Sequence, residues 1–599
     1  MGSEGSEREK QKENNMNDVI FGVIKLLCGL TFFLYGMNVM SSGLEKVAGS
    51  KMESMLKKMT SNPLKSLLLG AGITIAIQSS SAVTVMLVGL VNSGVMQLSQ
   101  TVGVIMGSNV GTTLTAWILS LAGIESDNLW MNLLKPENFS AILAFIGIIM
   151  MMASKKKKRR DLGTIFIGFA VLMYGMEFMG DAVSPLKDSP EFQRILTMFE
   201  NPILGLLVGA VFTGIIQSSA ASVGILQSLA LTGSVTYGVA IPIIMGQNIG
   251  TCVTALLSSI GVNKNAKRVS VIHMSFNIIG SLFAMAVIYG INMLFPLEFL
   301  KDSVSPFAVA VVHSIFNVAT TLLLLPFSKL LVKFANKVIK DNDKEEVFTF
   351  IDRRLFATPS IAISECKTKT AEMAKRASVA VMKSIGLMTE FDDNTFEKVF
   401  EEENELDNYE DKLGTALVKL SGTDISDNDS KQISILLNTI GDFERIGDHS
   451  INIAYAAQGM KDKGLAFSPA ALKEFEVLNA ALQEILDLTV EAFDKNNLEL
   501  ARKVEPLEQA IDKITGIIKA RHVERLRAGE CTVDAGIILS DLLTNYERVS
   551  DHCSNIAVAL IEIDKNEFEA HEYLHELKDP ENEDFRREYR AYKEKYRLN

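Results

Sequence analysis

The chain has 599 residues, which is too many for one ordinary domain, and 48% of them are hydrophobic. Its formal net charge of −12 is unevenly placed, because residues 16–340 carry an excess of basic side chains and residues 341–599 a large excess of acidic ones. This distribution excludes a nucleic-acid-binding protein on electrostatic grounds, and five cysteines without paired spacing indicate neither a disulfide framework nor a zinc site.

The N-terminal segment joins a short polar stretch to a long apolar one. The apolar stretch from Val19 to Met40 is longer than the core of a cleavable signal and lacks a convincing cleavage site, so it predicts a membrane-spanning helix. Further apolar runs follow as far as residue 334, and the charge changes from basic to acidic near Lys340. We therefore predict a polar tail at 1–17, a membrane domain at 18–340, a cytoplasmic domain at 341–565 and a charged tail at 566–599.

Two of the apolar runs, 64–92 and 203–232, are interrupted in the middle by glutamine and several serines. A helical arm such as 64–77 reaches only about 21 Å at about 1.5 Å per residue, which is too short to cross a bilayer core of about 30 Å. Each interrupted run is therefore predicted to be a re-entrant helical hairpin with its tip near the membrane midplane.

An internal repeat with an offset of 139 residues runs through this membrane domain. It matches Asn-Pro and Gln-Ser-Ser rather than the common Leu and Val, so shared apolar composition explains it poorly. The matched segments are Tyr35–Met37 with Tyr174–Met176, Asn62-Pro63 with Asn201-Pro202, Gln78–Ser80 with Gln217–Ser219, and Gly107–Thr112 with Gly246–Thr251. We predict repeat 1 at about 18–153, repeat 2 at about 162–295 and an extra helix at 306–334.

Clusters of lysine and arginine predict the orientation of the membrane domain. The loops 45–62, 154–161 and 261–268 all carry such clusters, and they fall on one side if each hairpin returns to the side it entered from. This scheme has seven full spans, an extracytoplasmic N-terminus and a cytoplasmic C-terminal domain. Because three spans lie in the first repeat, the second repeat runs the opposite way, as is typical of secondary transporters.

The predicted hairpin tips contain no ionisable side chains, because Asp, Glu, Lys, Arg and His are absent from 66–124 and 203–263. Helix starts at Ser79–Ser81 and Ser218–Ser219 offer hydroxyl and backbone N–H groups that can bind an oxyanion. An anion in a low-dielectric pocket without a basic partner favours a co-bound cation, which indicates cation-coupled anion symport. The alternative is that these serines only mediate helix packing.

Two glycine-containing segments, Gly107–Thr113 and Gly246–Thr251, are interpreted as points of local unwinding whose oxygens suit a hard cation. Together with Gln-Ser-Ser-Ser at 78–81 and Gln-Ser-Ser-Ala at 217–220, they resemble the sodium/phosphate cotransporter type II family. The resemblance covers about residues 18–334.

This resemblance implies sodium-driven uptake of inorganic phosphate by a homodimer in the lipid bilayer of the cell membrane. It assigns phosphate binding to Ser79, Ser80, Ser81, Ser218 and Ser219. It assigns sodium binding to Gln78, Asn109, Thr112, Thr113, Gln217, Asn248 and Thr251. The second repeat departs from the pattern, because Ala220 replaces the third serine and Cys252 replaces the second threonine.

Residues 345–565 show the periodicity of amphipathic helices, with few glycines. A motif at Glu444–Ala454 recurs at Glu547–Ala557 with an offset of 103 residues. Carboxylates four residues apart share one helical face, which favours a hard-metal site, whereas the alternative is a solvated acidic face with Glu–Arg pairs. Five polar breaks divide this part into six predicted helices. The breaks lie at 389–394, 421–429, 462–469, 494–497 and 527–532.

The duplicated motifs resemble PhoU, a protein of phosphate regulation built from two three-helix repeats. The resemblance implies a cytoplasmic location, control of phosphate transport and a carboxylate-bound metal, either a divalent ion or an iron-type metal. The candidate ligands are Glu405, Glu444, Asp448, Glu508, Glu547 and Asp551. The tail at 566–599 is interpreted as a frayed, charged helix.

The predicted fold class is therefore all-α: a polytopic membrane protein with two inverted repeats, each containing a re-entrant hairpin, followed by a cytoplasmic helical bundle. Sodium-coupled phosphate symport by alternating access is the favoured function. A membrane-anchored phosphate sensor and a carrier of another tetrahedral oxyanion, such as arsenate, stay open. An enzyme is not expected, because the sequence has no nucleophile elbow, nucleotide-binding loop or metal-hydrolase motif.

Overall fold

A computed structural model describes residues 21–47, 62–123, 136–186, 194, 198–340, 350–423, 425–565 and 583–598. The chain divides into two compact units, Met1–Ile361 and Ala362–Asn599. The predicted polar tail at 1–17 and most of the basic loop at 45–62 lie outside the described residues.

The described part of the first unit is almost entirely helical, apart from one isolated bridge between Thr236 and Ser303. Several helices begin with a side-chain cap. Asn62 and Asn201, for example, each precede a helix whose first residue is proline, and their side chains accept hydrogen bonds from backbone N–H groups of its first turn. The helices are α1 Phe21–Val47, α2 Pro63–Ile77, α3 Ser80–Asn92, α4 Leu98–Ser120, α5 Pro136–Ala153, α6 Lys157–Val183, α7 Pro202–Ile216, α8 Ser219–Ala230, α9 Tyr237–Gly250, α10 Cys252–Ser258, α11 Lys264–Leu294, α12 Pro306–Leu324 and α13 Ser328–Val338.

Six of the described helical segments are long and apolar enough to cross a membrane, whereas the sequence predicted seven full spans. The difference lies at 139–153, because this segment falls among the shorter apolar helices. Both predicted hairpins also consist of short helices, α2 with α3 and α7 with α8. The six long segments are Phe21–Val47, Leu98–Gly123, Lys157–Val183, Tyr237–Ser258, Lys264–Leu294 and Pro306–Val338.

Glycines allow the short helices to approach the long ones closely in both repeats. A Cβ atom at Gly107 of α4 would overlap the carbonyl oxygen of Leu67 in α2. A Cβ atom at Gly246 of α9 would overlap the carbonyl oxygen of Leu206 in α7 in the same way. The offset of 139 residues relates Gly107 to Gly246 and Leu67 to Leu206. The repeat therefore preserves a close backbone contact as well as a sequence motif.

The helices α1 and α6 occupy equivalent places in the two repeats and pack against each other reciprocally. A Cβ atom at Gly36 would overlap the backbone nitrogen of Leu172, and one at Gly175 would overlap the backbone nitrogen of Phe33. The offset of 139 residues relates Gly36 to Gly175 and Phe33 to Leu172. A contact that exchanges equivalent residues in this way indicates a pseudo-twofold relation between the two helices.

The C-terminal part forms the six long helices that the polar breaks predict. A buried ion pair joins two of them, because Arg525 Nη2 lies 2.8 Å from a carboxylate oxygen of Glu474. The helices are α14 Pro359–Leu387, α15 Asp393–Ser421, α16 Asp427–Lys463, α17 Pro469–Lys495, α18 Leu498–Arg527 and α19 Val533–Lys565.

A further helix, α20 Glu583–Lys595, corrects the interpretation of the tail as frayed. Tyr592 and Tyr596 are spaced four residues apart and both are buried. The Tyr596 hydroxyl donates a hydrogen bond to the Glu484 carboxylate, and Lys595 Nζ lies 2.8 Å from the same side chain. The described part of the tail is ordered because it presents an aromatic face to the bundle.

Candidate functional site

Both predicted hairpin tips are helix breaks with the same backbone geometry. Gln78 ends α2 in the left-handed conformation with φ 58°, and Gln217 ends α7 with φ 58°. Ser79 and Ser218 then cap the helices α3 and α8 by accepting hydrogen bonds from the backbone N–H groups of Ala82 and Ala221. Each break therefore presents the positive end of a new helix immediately after a sharp reversal.

The two helix breaks are in contact. The Ser81 hydroxyl in the first break donates a hydrogen bond to the backbone oxygen of Gln217 in the second, at 3.4 Å. This contact spans 136 positions of sequence and places the starts of α3 and α8 next to each other. The predicted oxyanion-binding groups of the two repeats therefore lie next to each other.

Apart from Ser81, the serines in the breaks fall into two kinds. Ser79 and Ser218 already serve as helix caps. Ser80 and Ser219 are buried, and among the described residues no partner accepts from or donates to either hydroxyl. These two hydroxyls are therefore available as hydrogen-bond donors to a ligand.

The two glutamines differ in their side-chain environment although their backbones match. Gln78 is 8% exposed, its Nε2 donates to the Ile75 backbone oxygen at 2.7 Å, and its Oε1 accepts from the Thr115 hydroxyl at 2.8 Å. Gln217 is exposed, and the equivalent threonine, Thr254, donates to its own helix instead. The first repeat therefore has a fixed amide and the second a solvent-accessible one.

The Gly-x-Asn-x-Gly segments do not form the predicted unwound elements. Gly107–Thr113 lies entirely within α4, and only the second segment shows a short interruption, at Thr251 between α9 and α10. The interpretation of local unwinding was wrong for the first segment, because its glycines serve close helix packing. The hydroxyls of Thr112 and Thr113 donate to carbonyl oxygens of their own helix.

The two asparagines of these segments have different partners. Asn109 Nδ2 donates to Asn277 Oδ1 on α11 at 2.6 Å, whereas Asn248 Nδ2 donates to the Ile244 oxygen of its own helix at 3.3 Å. The sequence analysis did not include Asn277 among the candidate site residues. It belongs to a His-x-x-Phe-Asn element at 273–277 that recurs at 313–317, and this recurrence was the signal that could have drawn attention to it.

The duplicated motifs of the C-terminal part pair reciprocally. His449 Nδ1 lies 2.8 Å from Asn545 Oδ1, and His552 Nδ1 lies 2.9 Å from Asp442 Oδ1. The offset of 103 residues relates His449 to His552 and Asp442 to Asn545. The two imidazole rings stack with their centroids 5.7 Å apart, so the helices α16 and α19 meet through their repeated motifs.

Two carboxylate clusters have ligand oxygens within 4.8 Å of one another and could hold a metal ion. Three of the six predicted ligands belong to them: Asp448 to one cluster, and Glu508 and Asp551 to the other. The clusters do not include the other predicted ligands, and Glu547 instead forms an ion pair with Lys519 at 2.9 Å. The predicted Glu405 and Glu444 also lie outside the clusters. The first cluster consists of Glu403, Asp407 and Asp448, and the second of Glu508, Asp512 and Asp551.

Partial burial and mutual repulsion raise the pKa values of carboxylates in both clusters. Partial burial and then the carboxylates of Asp407 and Asp448 raise the pKa of Glu403. Partial burial and then Asp551 raise the pKa of Asp512. The sequence analysis missed Glu403, Asp407 and Asp512. The signal was available, because Glu403 and Asp407, like Glu508 and Asp512, are four residues apart and therefore share one helical face.

Comparisons with protein families match both parts of the chain. The family described as Na+/Pi-cotransporter matches residues 32–181 and 172–302, which contain both helix breaks. The PhoU domain matches residues 370–457 and 478–560, which contain both acidic clusters.

Several curated relatives cover long parts of the chain. A protein of Salmonella typhimurium named "Putative inorganic phosphate export protein YjbB" is 23% identical over 92% of this chain and 99% of its own length. The protein YqeW of Bacillus subtilis is 30% identical over 52% of this chain and 96% of its own length. The sodium-dependent phosphate transport protein 2A of Mus musculus is 33% identical over 20% of each chain. Among solved structures, PhoU from Pseudomonas aeruginosa covers 35% of this chain and 99% of its own, with a TM-score of 0.33 and 19% identity.

Six long apolar helices and these relatives define a multi-pass membrane protein of the phosphate-transporter class. The chain belongs to the Na+/Pi-cotransporter family and carries a PhoU domain after its membrane part.

Proposed function

We propose that this protein is a sodium-coupled phosphate symporter and that phosphate binds where the two helix breaks meet. The observation that carries the proposal is the hydrogen bond from the Ser81 hydroxyl to the Gln217 backbone oxygen, which joins the starts of two helices. Each start supplies backbone N–H groups and one buried hydroxyl, Ser80 or Ser219, that has no partner among the described residues. Ser79, Ser81 and Ser218 complete the proposed oxyanion site.

Sodium is the proposed co-bound cation, because the site contains no ionised residue to balance phosphate. Amide and hydroxyl oxygens suit a hard cation, and the fixed Gln78 amide offers one beside the first break. The other proposed sodium ligands are Asn109, Thr112, Thr113, Gln217, Asn248 and Thr251.

The proposed transport mechanism is alternating access around two inverted repeats with re-entrant hairpins. The arms support this proposal, because α2 and α7 have 15 residues each, about 22 Å of helix, which is short of a bilayer core of about 30 Å. The reciprocal contact of Gly36 and Gly175 supports a pseudo-twofold relation between the repeats.

The remaining features of the proposal concern the assembly and its control. We place the N-terminus outside the cell and the PhoU domain in the cytoplasm, because the basic loops 154–161 and 261–268 then face the cytoplasm. A homodimer in the cell membrane is the proposed assembly. The PhoU domain is proposed to regulate transport and to hold metal ions at the clusters of Asp448 and Asp551.

Phosphate export is a second candidate function. It is favoured by the relative of Salmonella typhimurium, which aligns with this chain over 99% of its own length and is named for phosphate export. A symporter moves its substrates in the direction that the combined gradients dictate, so export through the same site needs no different residues.

The proposed site is tested by measuring radiolabelled phosphate uptake into proteoliposomes that contain the full-length protein and an inward sodium gradient. The parent protein should accumulate phosphate with sodium and not with potassium. The double variant Ser80→Ala/Ser219→Ala should lose at least about tenfold in apparent phosphate affinity, because hydrogen bonds to a charged group contribute about 1.5–3 kcal/mol each.

The matched control is Ser120→Ala/Ser228→Ala, because these buried serines donate only to carbonyl oxygens of their own helices. This control should transport like the parent protein. Unchanged affinity in the Ser80/Ser219 double variant would contradict the proposed phosphate site. Sodium-dependent binding without accumulation would instead favour the membrane-anchored sensor, and equal transport of arsenate would broaden the substrate to tetrahedral oxyanions.

A further inference from the structure

The segment 350–358, which we call the latch, lies between the membrane helices and α14 and belongs to the first compact unit. It contains a single 3-10 turn, Arg353–Ala357, which Asp352 caps by accepting a hydrogen bond from the Arg354 backbone N–H at 2.9 Å. Asp352 is 1% exposed and Leu355 is 0% exposed. A connecting segment that buries a carboxylate and a leucine is docked rather than solvated.

The latch is bound to the last turn of α3. Asn92, the last residue of α3, donates from Nδ2 to Asp352 Oδ2 at 2.7 Å. Leu355 packs against Gly89 one turn earlier, since a Cβ atom at residue 89 would lie 2.9 Å from Leu355 Cδ2. Gly89 therefore leaves the space that the leucine side chain occupies.

The same contacts hold the start of α11. Asn92 Oδ1 accepts from the backbone N–H of Asn263 at 2.8 Å, and the Asn263 side chain caps α11. Arg354 pairs with Asp352 at 3.0 Å, and its Nη2 donates to the Ile260 backbone oxygen at 2.6 Å. The buried Asp352 carboxylate thus has a charged partner and an amide donor, and the latch joins α3 to the segment before α11.

The helix α3 connects this docking point to the proposed phosphate site. It has 13 residues, about 20 Å of continuous helix, and its other end is capped by Ser79 at the first break. In the opposite direction along the chain, α14 begins at Pro359, directly after the latch, and continues to Leu387 in the second compact unit.

We infer that the latch is the element through which the PhoU domain controls transport: when docked, it restrains α3 and slows the movement of the first helix break. This inference rests on the proposed transport function and adds the route of its regulation. Displacement of α14 would withdraw Leu355 and Asp352 and release the last turn of α3. In this inference the latch has a docked and a released state, and the C-terminal domain shifts the balance between them.

A reversible crosslink tests the inference in the full-length protein. An added Cβ atom at residue 89 would lie 3.1 Å from Leu355 Cγ, so the variant Gly89→Cys/Leu355→Cys should form a disulfide under oxidation. The crosslink is verified by peptide mass spectrometry. Sodium-driven phosphate uptake should fall by about fivefold or more on crosslinking, in the range of ordinary coupling between sites, and should recover on reduction. The single variants Gly89→Cys and Leu355→Cys are the controls and should not respond to oxidant.

Hydrogen exchange gives a readout that does not depend on transport. Leu355→Ala should raise amide exchange in residues 79–93 by roughly tenfold, which corresponds to 1.4 kcal/mol of local stability. Leu413→Ala removes an equally buried leucine from α15 and should leave exchange in 79–93 unchanged.

Each outcome separates this inference from the proposed function. If the parent protein does not accumulate phosphate, the transport proposal fails, while the exchange result still decides whether the latch restrains α3. If the parent transports and the crosslinked protein transports equally well, the inference is overturned. Absence of the crosslink, or unchanged exchange in residues 79–93 of Leu355→Ala, overturns it as well.

Discussion

At the scale of single residues, the site depends on two glutamines in a backbone conformation that side chains rarely adopt. Among the described non-glycine residues, only Gln78, Gln217 and Asn496 have positive φ. A left-handed residue lets the chain end one helix and start another within two positions, so that the serine hydroxyls and the new helix start face the same place. The equal φ of Gln78 and Gln217 shows that both repeats use this device.

Gln217→Val should lower the stability of the full-length protein in detergent by about 2 kcal/mol, because a β-branched side chain is strained at φ 58°. Gln217→Gly should not lower the melting temperature, because glycine adopts this conformation without strain. Both variants should transport with weaker sodium dependence, since both remove the amide. Equal melting temperatures for the two variants would show that the backbone strain does not determine stability here.

The buried carboxylate of Glu365 in α14 contributes a pH dependence to the stability of the protein. It is 3% exposed, and burial raises its pKa from 4.5 to about 7, with Lys369 opposing the shift and Glu372 adding to it. The folded state therefore binds a proton more tightly than the unfolded state, so stability falls as pH rises from about 4.5 to about 7. The loss above this window is about 3 kcal/mol.

Glu365→Gln should remove the contribution of this residue to the pH dependence and raise the melting temperature at pH 8, where the parent protein carries the buried charge. Glu444, whose pKa burial also raises to about 7, should keep its own contribution in both proteins. At pH 4.5 the two proteins should melt at closer temperatures. Glu390→Gln, at an exposed position, serves as the control and should melt like the parent protein at both pH values. Parallel pH profiles for Glu365→Gln and the parent protein would contradict the assignment.

At the scale of helices, each acidic cluster is formed by carboxylates from two helices. Glu403 and Asp407 on α15 meet Asp448 on α16, and Glu508 and Asp512 on α18 meet Asp551 on α19. Oxygen-only ligand sets favour hard divalent ions such as Mn²⁺. A metal at these positions would tie the helices of each three-helix repeat together.

Electron paramagnetic resonance of the full-length protein titrated with Mn²⁺ should show two bound ions per chain, because there are two clusters. Asp512→Asn/Asp551→Asn should lose one of them, since it removes two of the three carboxylates of the second cluster. Glu397→Gln, an exposed acidic residue outside both clusters, should bind like the parent protein. Retention of both ions in the Asp512/Asp551 variant would place the metal elsewhere.

At the scale of the whole molecule, duplication is present in both parts of the chain. In the membrane part the repeats place Gly107 and Gly246 in equivalent close contacts, and in the C-terminal part they place His449 beside His552. In the proposed mechanism, two similar halves exchange roles between inward-facing and outward-facing states, which makes the carrier reversible.

Reversing the gradients should therefore reverse the net flux. Proteoliposomes loaded with sodium and labelled phosphate should lose phosphate into a sodium-free medium, and inward gradients should drive uptake by the same protein. Replacing internal sodium with potassium at equal ionic strength is the control and should abolish the efflux. Efflux that persists in potassium would contradict sodium coupling and favour a sodium-independent exporter.

The sequence alone determined where helices start and stop, because the signals for these events are local. Asn-Pro at 62–63, Gln-Ser-Ser at 78–80 and the polar breaks of the C-terminal part act on the adjacent backbone, and their helix boundaries agree with the structure. The absence of ionisable residues from 66–124 and 203–263 likewise fixed the chemistry available to the membrane part.

Only the tertiary structure decided which of these local elements meet. The contacts of Ser81 with Gln217, Asn109 with Asn277 and Asn92 with Asp352 join positions more than 130 residues apart. Helical periodicity predicts which residues share a face but not which distant helix covers that face. The spacing therefore did not predict the contact of Asn109 with Asn277 or the docking of the latch on α3. For the same reason the acidic clusters include Glu403, Asp407 and Asp512, whose partners depend on how α15 packs on α16 and α18 on α19.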